Sequence, residues 1–282
     1  MTGRPAGAAG ADRGAAELAA ALQVLGAGEP RMLGYGDAPN PSSAPGRPGG
    51  DLESQVPAGV APLRQLFARV CRPVATPDTQ GAFYRDWRLT AIDGTTFDLP
   101  DTKANVEAFG RPPRSGRDEQ DVGYPQLRMV GLVECGTHAV FDAAIGALRT
   151  GEQALARRVL VSLRPGMLLL ADRGFYGVDL WCTAAATGAD LLWRVRKDLV
   201  LPVVEQLPDG SYLTEIFDRS DIHHTRRGVP VRAVEYTIAG HEGVYRLITT
   251  ILDPDKAPAA ERELPVLALV GLCYVPRLII LR

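Results

Sequence analysis

The sequence predicts an α/β fold, with a mixed sheet flanked by helices and enlarged by a β-rich insertion. Apolar runs and alternating patterns between residues 87 and 146 predict three antiparallel strands. Between residues 151 and 195, helical periodicity alternates with short apolar runs, which is the pattern of strands joined by crossover helices. A hydrophobic content of 46% over 282 residues is sufficient for a substantial core.

The segments before residue 87 are predicted to contribute little to this sheet. Residues 1–58 are rich in Ala, Gly and Pro, so we expect a low-complexity segment with little ordered structure. Residues 59–86 are a predicted helical lead-in, because Leu63, Leu66 and Val70 recur at helical spacing.

The predicted core spans residues 87–197. In chain order its elements are a buried strand at 87–92, a hairpin of strands at 127–135 and 138–146, a helix at 151–163, a buried strand at 166–171, a helix that closes near Gly188, and a strand at 190–195. Right-handed crossovers would place the fourth strand beside the first.

The remaining residues divide into an insertion and a return to the core. Residues 198–243 are the predicted β-rich insertion, with a Pro-Asp-Gly turn between strand-like runs and an alternating pattern at 230–238. Residues 244–282 are predicted to return to the core, first as an apolar strand at 244–252, with an atypical apolar tail from residue 262. The apolar run at 264–275 is too short to span a bilayer, so no membrane association is predicted.

Charge and cysteine content argue against several classes of protein. A net charge of −2 offers no electrostatic indication of a polyanionic partner. The cysteines lie far apart without a CxxC pair, which favours neither a zinc knuckle nor a disulfide framework. No secretory signal is recognised, so the predicted location is the cytoplasm.

Two aspartates follow buried strands at one predicted rim of the sheet. Asp93 ends the run WRLTAI, and Asp172 ends the run LLLA of the fourth strand. Their carboxylates could together hold Mg²⁺ or Mn²⁺ for phosphoryl transfer. Taken singly, each has a simpler interpretation: Asp93 with Gly94 as a turn, and Asp172 as a helix N-cap with an ion pair.

A different enzyme class is disfavoured by one position of the same motif. Phosphatases of the haloacid-dehalogenase type carry the pattern hhhDxDGT, and its first aspartate is the nucleophile. The chain has Ala91 at that position, so the covalent mechanism would lack its nucleophile.

Two segments taken together, AIDGTTFDLPDTKANVEAFGRP and GMLLLADRGFYGVDLWCTAAATGADLLWRVR, resemble the DDE transposases of bacterial insertion sequences, in the IS-four group. The resemblance extends over residues 61–261. It implies a ribonuclease H-like core with a β-rich insertion, and Mg²⁺ (or Mn²⁺) bound by Asp93 and Asp172 as the catalytic acids. It also implies cleavage of double-stranded DNA at terminal inverted repeats, strand transfer into target DNA, and a homodimer on DNA.

Both ends of the chain depart from that family. Its third acid lies in a helix with the pattern Tyr-x2-Arg-x3-Glu-x6-Lys, and neither Glu261 nor Glu263 has the flanking residues of this pattern. We therefore expect no third catalytic acid, because of a truncation or frameshift near residue 261, and a second reading-frame break near residue 58. Impaired activity is expected. The alternative is an inactive remnant that binds DNA or intact transposase.

Basic residues near the predicted rim are candidates for contacts with DNA phosphates. They are Arg111, Arg114 and Arg117 in the loop RPPRSGR, Arg173 beside Asp172, and Lys197 after the last core strand. Each also has a simpler interpretation, because exposed loops and strand ends commonly carry solvated or ion-paired basic side chains.

Overall fold

The computed structural model describes residues 60–113, 123–218, 220–221, 225, 227–237 and 244–259. Within these ranges the helices are α1 (Val60–Val70), α2 (Lys103–Phe109), α3 (Glu152–Val159) and α4 (Val178–Ala185). Short 3-10 turns follow α3 at Leu160–Ser162 and precede α4 at Arg173–Phe175. The predictions for residues 1–58 and for the tail from residue 262 lie outside the described residues.

The strands make up most of the described fold. They are β1 (Phe83–Tyr84), β2 (Trp87–Asp98), β3 (Gln126–Glu134), β4 (Val140–Ala147), β5 (Met167–Ala171), β6 (Asp190–Val195), β7 (Glu205–Gln206), β8 (Tyr212–Ile216), β9 (Val229–Thr237) and β10 (Val244–Thr249). Each core strand predicted from an apolar run is present, with its ends shifted by a few residues at most, except at the end of β2.

These strands form one ten-stranded mixed sheet in the order β4-β3-β2-β5-β6-β10-β9-β8-β7, with β1 pairing separately with β2. The predicted antiparallel meander is confirmed, because β3 pairs antiparallel with both β2 and β4. β5 lies parallel to β2 and to β6, so the fourth core strand does lie beside the first. The α/β, ribonuclease H-like class expected for the core is the architecture observed.

The β-rich part of the chain widens the same sheet. β10 pairs antiparallel with β6, and β9 and β8 continue outward from it with antiparallel pairing. Periodicity predicted these strands but not their place, since a short alternating segment can pair with any free edge. No helix among the described residues is long and apolar enough to cross a membrane.

Strand β2 is longer than predicted, and this corrects the interpretation of Asp93 as the end of a strand. Pairing with β5 does stop at Ile92, opposite Ala171. Pairing with β3 continues from Asp93 as far as Asp98, opposite Gln126. The loss of apolar character after Ile92 therefore marks the point where β2 loses one neighbour and becomes accessible on that side.

The two faces of the sheet carry separate apolar clusters. On the face that we call the helix face, Ile92, Leu169 and Trp193 pack with the buried side chains of α3 and α4. Trp193 meets Trp181 of α4 edge to face, with ring centroids 5.2 Å apart. Such packing fixes both crossover helices against one side of the sheet.

The second cluster covers the opposite face. Leu89 and Ala91 of β2, Leu168 and Leu170 of β5, and Leu247 of β10 belong to it. Because side chains alternate along a strand, every second residue from these positions also points to the opposite face. This alternation decides on which side the polar residues beyond the cluster emerge.

Candidate active site

Asp93 and Asp172 occupy neighbouring positions on adjacent parallel strands. Ile92 pairs with Ala171, so the two aspartates are the next residues on β2 and beyond β5. Asp172 keeps an extended backbone, with φ −79° and ψ 165°, so the alternation of β5 continues to it. Both side chains consequently point to the opposite face of the sheet, at one rim.

The environment of Asp93 disfavours its charged form. Burial raises the pKa of the Asp93 carboxyl above its ordinary value, while the hydrogen bond from the Gly94 N–H to its Oδ1, 2.8 Å, acts in the other direction. The negative charges of Glu152 and Asp172 raise the pKa further. Asp93 is therefore half-buried and experiences repulsion from two like charges, which a cation would relieve.

Asp172, in contrast, has a basic neighbour. Trp193 pairs with Ala171, so Arg194 is the next residue beside Asp172, and its Nη1 lies 3.4 Å from the Asp172 Oδ1. The guanidinium of Arg194 also lies over the ring of Tyr245, 4.8 Å from the centroid. Asp93 on β2, Asp172 just beyond β5 and Arg194 on β6 thus lie in one row across the sheet.

A third carboxylate reaches the same rim from the helix face. Glu152 is the first residue of α3, and its side chain lies over Gly94 of β2. A Cβ atom on Gly94 would be 2.9 Å from the Glu152 Oε1. Glu152 makes no hydrogen bond or ion pair with the residues that the structure describes.

The predicted DNA-binding residues differ in whether their side chains are exposed or are bonded within the protein. Arg173 and Lys197 are exposed, and both follow strands whose carboxyl ends form the rim of Asp172. Arg111 is engaged within the protein: it donates to the Gly123 carbonyl, 2.6 Å, and pairs with the Asp101 carboxylate, 2.5 Å. Arg114 and Arg117 lie outside the described residues.

The rim lies in a part of the chain that matches a known protein family. The family described as "Transposase DDE domain" matches residues 85–261, which is more than half of the chain and includes both aspartates. The chain belongs to the DDE transposase domain family. The resemblance carried by the two sequence segments is thereby confirmed.

Curated relatives of this transposase domain have the same kind of name. The chain is 28% identical over 61% of its length to "Transposase InsG for insertion sequence element IS4" of Escherichia coli (strain K12), of which it covers 39%. It is 29% identical over 52% of its length to "Putative transposase InsZ" of the same organism, of which it covers 49%. The chain therefore spans less than half the length of these relatives.

Solved structures similar to the transposase domain include two nucleases. Endonuclease V of Streptomyces avermitilis matches with a TM-score of 0.29 and 16% identity, over 67% of this chain and 79% of that one. Endonuclease V of Bacillus subtilis matches with a TM-score of 0.29 and 12% identity, over 73% of this chain and 80% of that one.

The acids of the transposase domain are of a kind that suits a hard divalent cation, and DDE domains in general depend on such metal ions. Mg²⁺ is commonly bound by one or two carboxylates, with water and substrate phosphate as the other ligands, and Asp93 and Asp172 match that donor set. Among the described residues, no three carboxylate, histidine or cysteine side chains are grouped closely enough to hold a metal ion together. In the described part of the chain, the candidate direct ligands of a metal ion are therefore the two carboxylates of Asp93 and Asp172.

Two residues of the rim were not predicted from the sequence. Arg194 was recognised only as part of a strand, and Lys197 was selected instead because it follows that strand. Glu152 has no local signal that distinguishes it, since an acidic residue in the first turn of a helix is common. Arg194 lies beside Asp172 because of the strand register, and Glu152 lies over Gly94 because of the position of α3. Neither is evident from the sequence.

Proposed function

We propose that the chain carries out transposase chemistry: cleavage of DNA at insertion-sequence ends, followed by strand transfer, with Asp93 and Asp172 as the catalytic, metal-binding acids. The observation that supports this most strongly is their placement at successive positions of adjacent parallel strands, on one face and at one rim. Side chains so arranged can contact the same cation, which needs only one or two protein carboxylates.

The metal would supply the chemistry that the side chains lack: when bound, it activates the attacking oxygen and stabilises the leaving oxygen of the phosphodiester. Asp93 contributes an uncompensated negative charge to the site. Asp172 contributes a carboxylate whose direction is restrained by Arg194. We propose Mg²⁺ or Mn²⁺ as the ion, because both prefer oxygen ligands.

The proposed substrate is double-stranded DNA. Arg173 directly follows Asp172 and Lys197 follows the end of β6, so both exposed positive charges are available to a phosphate backbone that runs along the rim. Terminal inverted repeats and target DNA are the expected partners, with the chain acting as a homodimer on them. A relative named as the transposase of an insertion sequence is consistent with this choice.

A second candidate is a non-catalytic protein that binds DNA or an intact transposase. It is favoured by the lack of a three-residue metal-binding group in the described part of the chain. In this alternative the rim is retained as a fold element, and the basic side chains alone provide DNA affinity.

A nicking assay separates the two candidates. The purified full chain is incubated with labelled duplex carrying a cognate end, with Mg²⁺, with Mn²⁺ or with EDTA, and both DNA retention and strand cleavage are measured. We expect weak, divalent-dependent nicking, because a third catalytic acid is not expected in this chain. Asp93→Asn and Asp172→Asn should each reduce it further, by more than the roughly 10–100-fold typical of an outer-shell change.

The matched control is Asp98→Asn, at the exposed end of the same strand, where the carboxylate accepts a hydrogen bond from Gln126. This variant should nick DNA at the wild-type rate. DNA retention without nicking in any metal would support the second candidate and exclude the first.

A further inference from the structure

We propose that Glu152 is a positioning carboxylate of the metal site, which accepts hydrogen bonds from the water ligands of the cation held by Asp93 and Asp172. This inference rests on the proposed function and extends it to a residue outside the two-aspartate motif. Asp93 and Asp172 point to the opposite face, and Glu152 approaches from the helix face. The two faces meet at the rim because β2 and β5 stop pairing at Ile92 and Ala171, which leaves the sheet open between Asp93 and Asp172.

The position of Glu152 is determined by the packing of its helix. Leu155, Ala156 and Val159 of α3 are buried against the sheet, so the helix cannot rotate without exposing them. Gly151 precedes the helix with an extended backbone and offers no side-chain cap. The first residue of α3 is therefore held above β2, close to the rim.

Gly94 is the counterpart that admits the Glu152 carboxylate. Its φ is not among the positive values found for glycines of the described chain, so its backbone conformation is open to any residue. What a side chain would meet is Glu152: a Cβ atom would lie 2.9 Å from Oε1 and 3.2 Å from Cδ. A side chain at position 94 would therefore displace this carboxylate.

The chemical role follows from charge and distance. Glu152 is half-buried, its carboxylate lies over Gly94, the residue next to Asp93, and it has no partner among the described residues. It is not grouped with the aspartates closely enough to form a three-ligand site with them. A carboxylate in this position acts through water: it orients the ligand shell of the ion and adds negative potential that attracts it.

A simpler role would be to complement the partial positive charge at the start of α3. That role predicts an effect on stability alone. The positioning role predicts an effect on metal affinity, and the two can be measured separately on the same variants.

The test is Mn²⁺ binding to the metal-free full chain, followed by electron paramagnetic resonance and by titration calorimetry without DNA. We expect Glu152→Gln to weaken Mn²⁺ binding by about tenfold. Gly94→Ala, which displaces the Glu152 side chain but keeps its charge, should weaken binding by a similar or smaller factor. The double variant should bind no more weakly than Glu152→Gln, because both changes remove one interaction.

The matched control is Glu205→Gln, an exposed residue of β7 at the far edge of the sheet. It removes the same unit of charge and should leave the affinity unchanged. Thermal unfolding of each variant without metal measures the effect of the substitutions on the fold.

The failure of this inference differs from the failure of the proposed function. If Asp93→Asn abolishes Mn²⁺ binding but Glu152→Gln binds like wild type, or changes only the melting temperature, the role of Glu152 is wrong and the metal site stands. If wild type binds no Mn²⁺, or Asp93→Asn and Asp172→Asn bind as well as wild type, both proposals are wrong.

Discussion

Two acidic regions on the paired strands β2 and β3 have opposite surroundings. Thr90 pairs with Glu134, and a little further along β2 Asp93 pairs with Gly131. Glu134 has an exposed fraction of 0%, whereas Asp93 is half-buried at the rim. The more deeply buried of the two is the one whose charge is compensated.

Glu134 is surrounded by donors. Arg88 forms an ion pair with it, the backbone N–H groups of Val74 and Ala75 donate to its Oε2 at 3.1 and 2.8 Å, and the Thr137 hydroxyl donates at 2.5 Å. This carboxylate ties the segment before β1 to the β3–β4 turn. The negative charge of Glu134 is therefore compensated by groups of the same chain.

Asp93 receives one backbone hydrogen bond and faces two negative charges. None of the described residues supplies Asp93 with the opposite charge, and a bound cation would do so. Satisfied hydrogen bonding, rather than depth of burial, therefore separates the structural acid from the proposed functional one.

The largest expected effect is on the structural acid. Glu134→Ala should lower the free energy of unfolding by about 3–5 kcal/mol, because it leaves the Arg88 charge without its buried partner. Urea denaturation of the metal-free chain measures this loss. Glu134→Gln, which retains an acceptor for the N–H groups, should lose less. A loss below about 1 kcal/mol in Glu134→Ala would equate this site with a surface ion pair.

One glycine in each region meets a different neighbour if a side chain is added. A Cβ atom on Gly136, near Glu134, would lie 2.5–2.7 Å from the backbone N and Cα and the Cβ of Ala82, so the backbone must move. Gly136→Ala should lower the free energy of unfolding by about 1–3 kcal/mol. Gly94→Ala meets the flexible end of Glu152 and should cost less. If Gly136→Ala and Gly94→Ala lowered the free energy of unfolding equally, the two regions would not differ in how tightly they are packed.

The pH dependence of stability should differ between wild type and Asp93→Asn. The folded-state pKa of Asp93 is raised above its ordinary value of 3.8, so the ionised form is disfavoured by folding. Without metal, Asp93→Asn should melt a few degrees higher than wild type at neutral pH, and this advantage should disappear as pH falls below the ordinary carboxyl range.

The control for this experiment is Asp86→Asn, an exposed residue in the turn before β2. Its melting temperature should follow that of wild type at every pH. Divalent ions should raise the melting temperature of wild type more than that of Asp93→Asn, and the reverse order would contradict the assignment of Asp93 to the metal site.

The smallest expected effect concerns a thiol beside Glu134. Burial, with a further contribution from the Glu134 charge, raises the pKa of Cys135 to about 12, whereas the Cys182 side chain is exposed. At pH 8, alkylation followed by peptide mass spectrometry should label Cys182 and leave Cys135 largely unlabelled. Glu134→Gln should modestly accelerate labelling of Cys135. Rapid labelling of Cys135 in wild type would show that this region opens readily.

The sequence was informative wherever an element is defined by its own residues. Continuous apolar runs predicted β5 and β6, and helical spacing predicted α3 and α4, because burial selects apolar side chains at the period of each element. The order of the elements, with right-handed crossovers, was enough to place Asp93 and Asp172 on neighbouring strands.

Prediction was weaker wherever a partner distant in sequence decides the outcome. Asp93 and Gly94 have the composition of a turn, yet they remain in β2 because β3 continues to pair with them. Arg111 has the character of a free basic loop residue, yet Asp101 and Gly123 engage it. The composition of a segment does not show which backbone or side chain from elsewhere in the chain will contact it.

By itself, the sequence determined that this chain is an α/β protein with two aspartates ending apolar runs, in a pattern typical of DDE transposases. Tertiary structure alone decided that Arg194 pairs with one aspartate and that Glu152 approaches the other over Gly94. The physical reason is that periodicity and burial are properties of each segment, whereas the electrostatic environment of a carboxylate depends on charges brought to it by other segments.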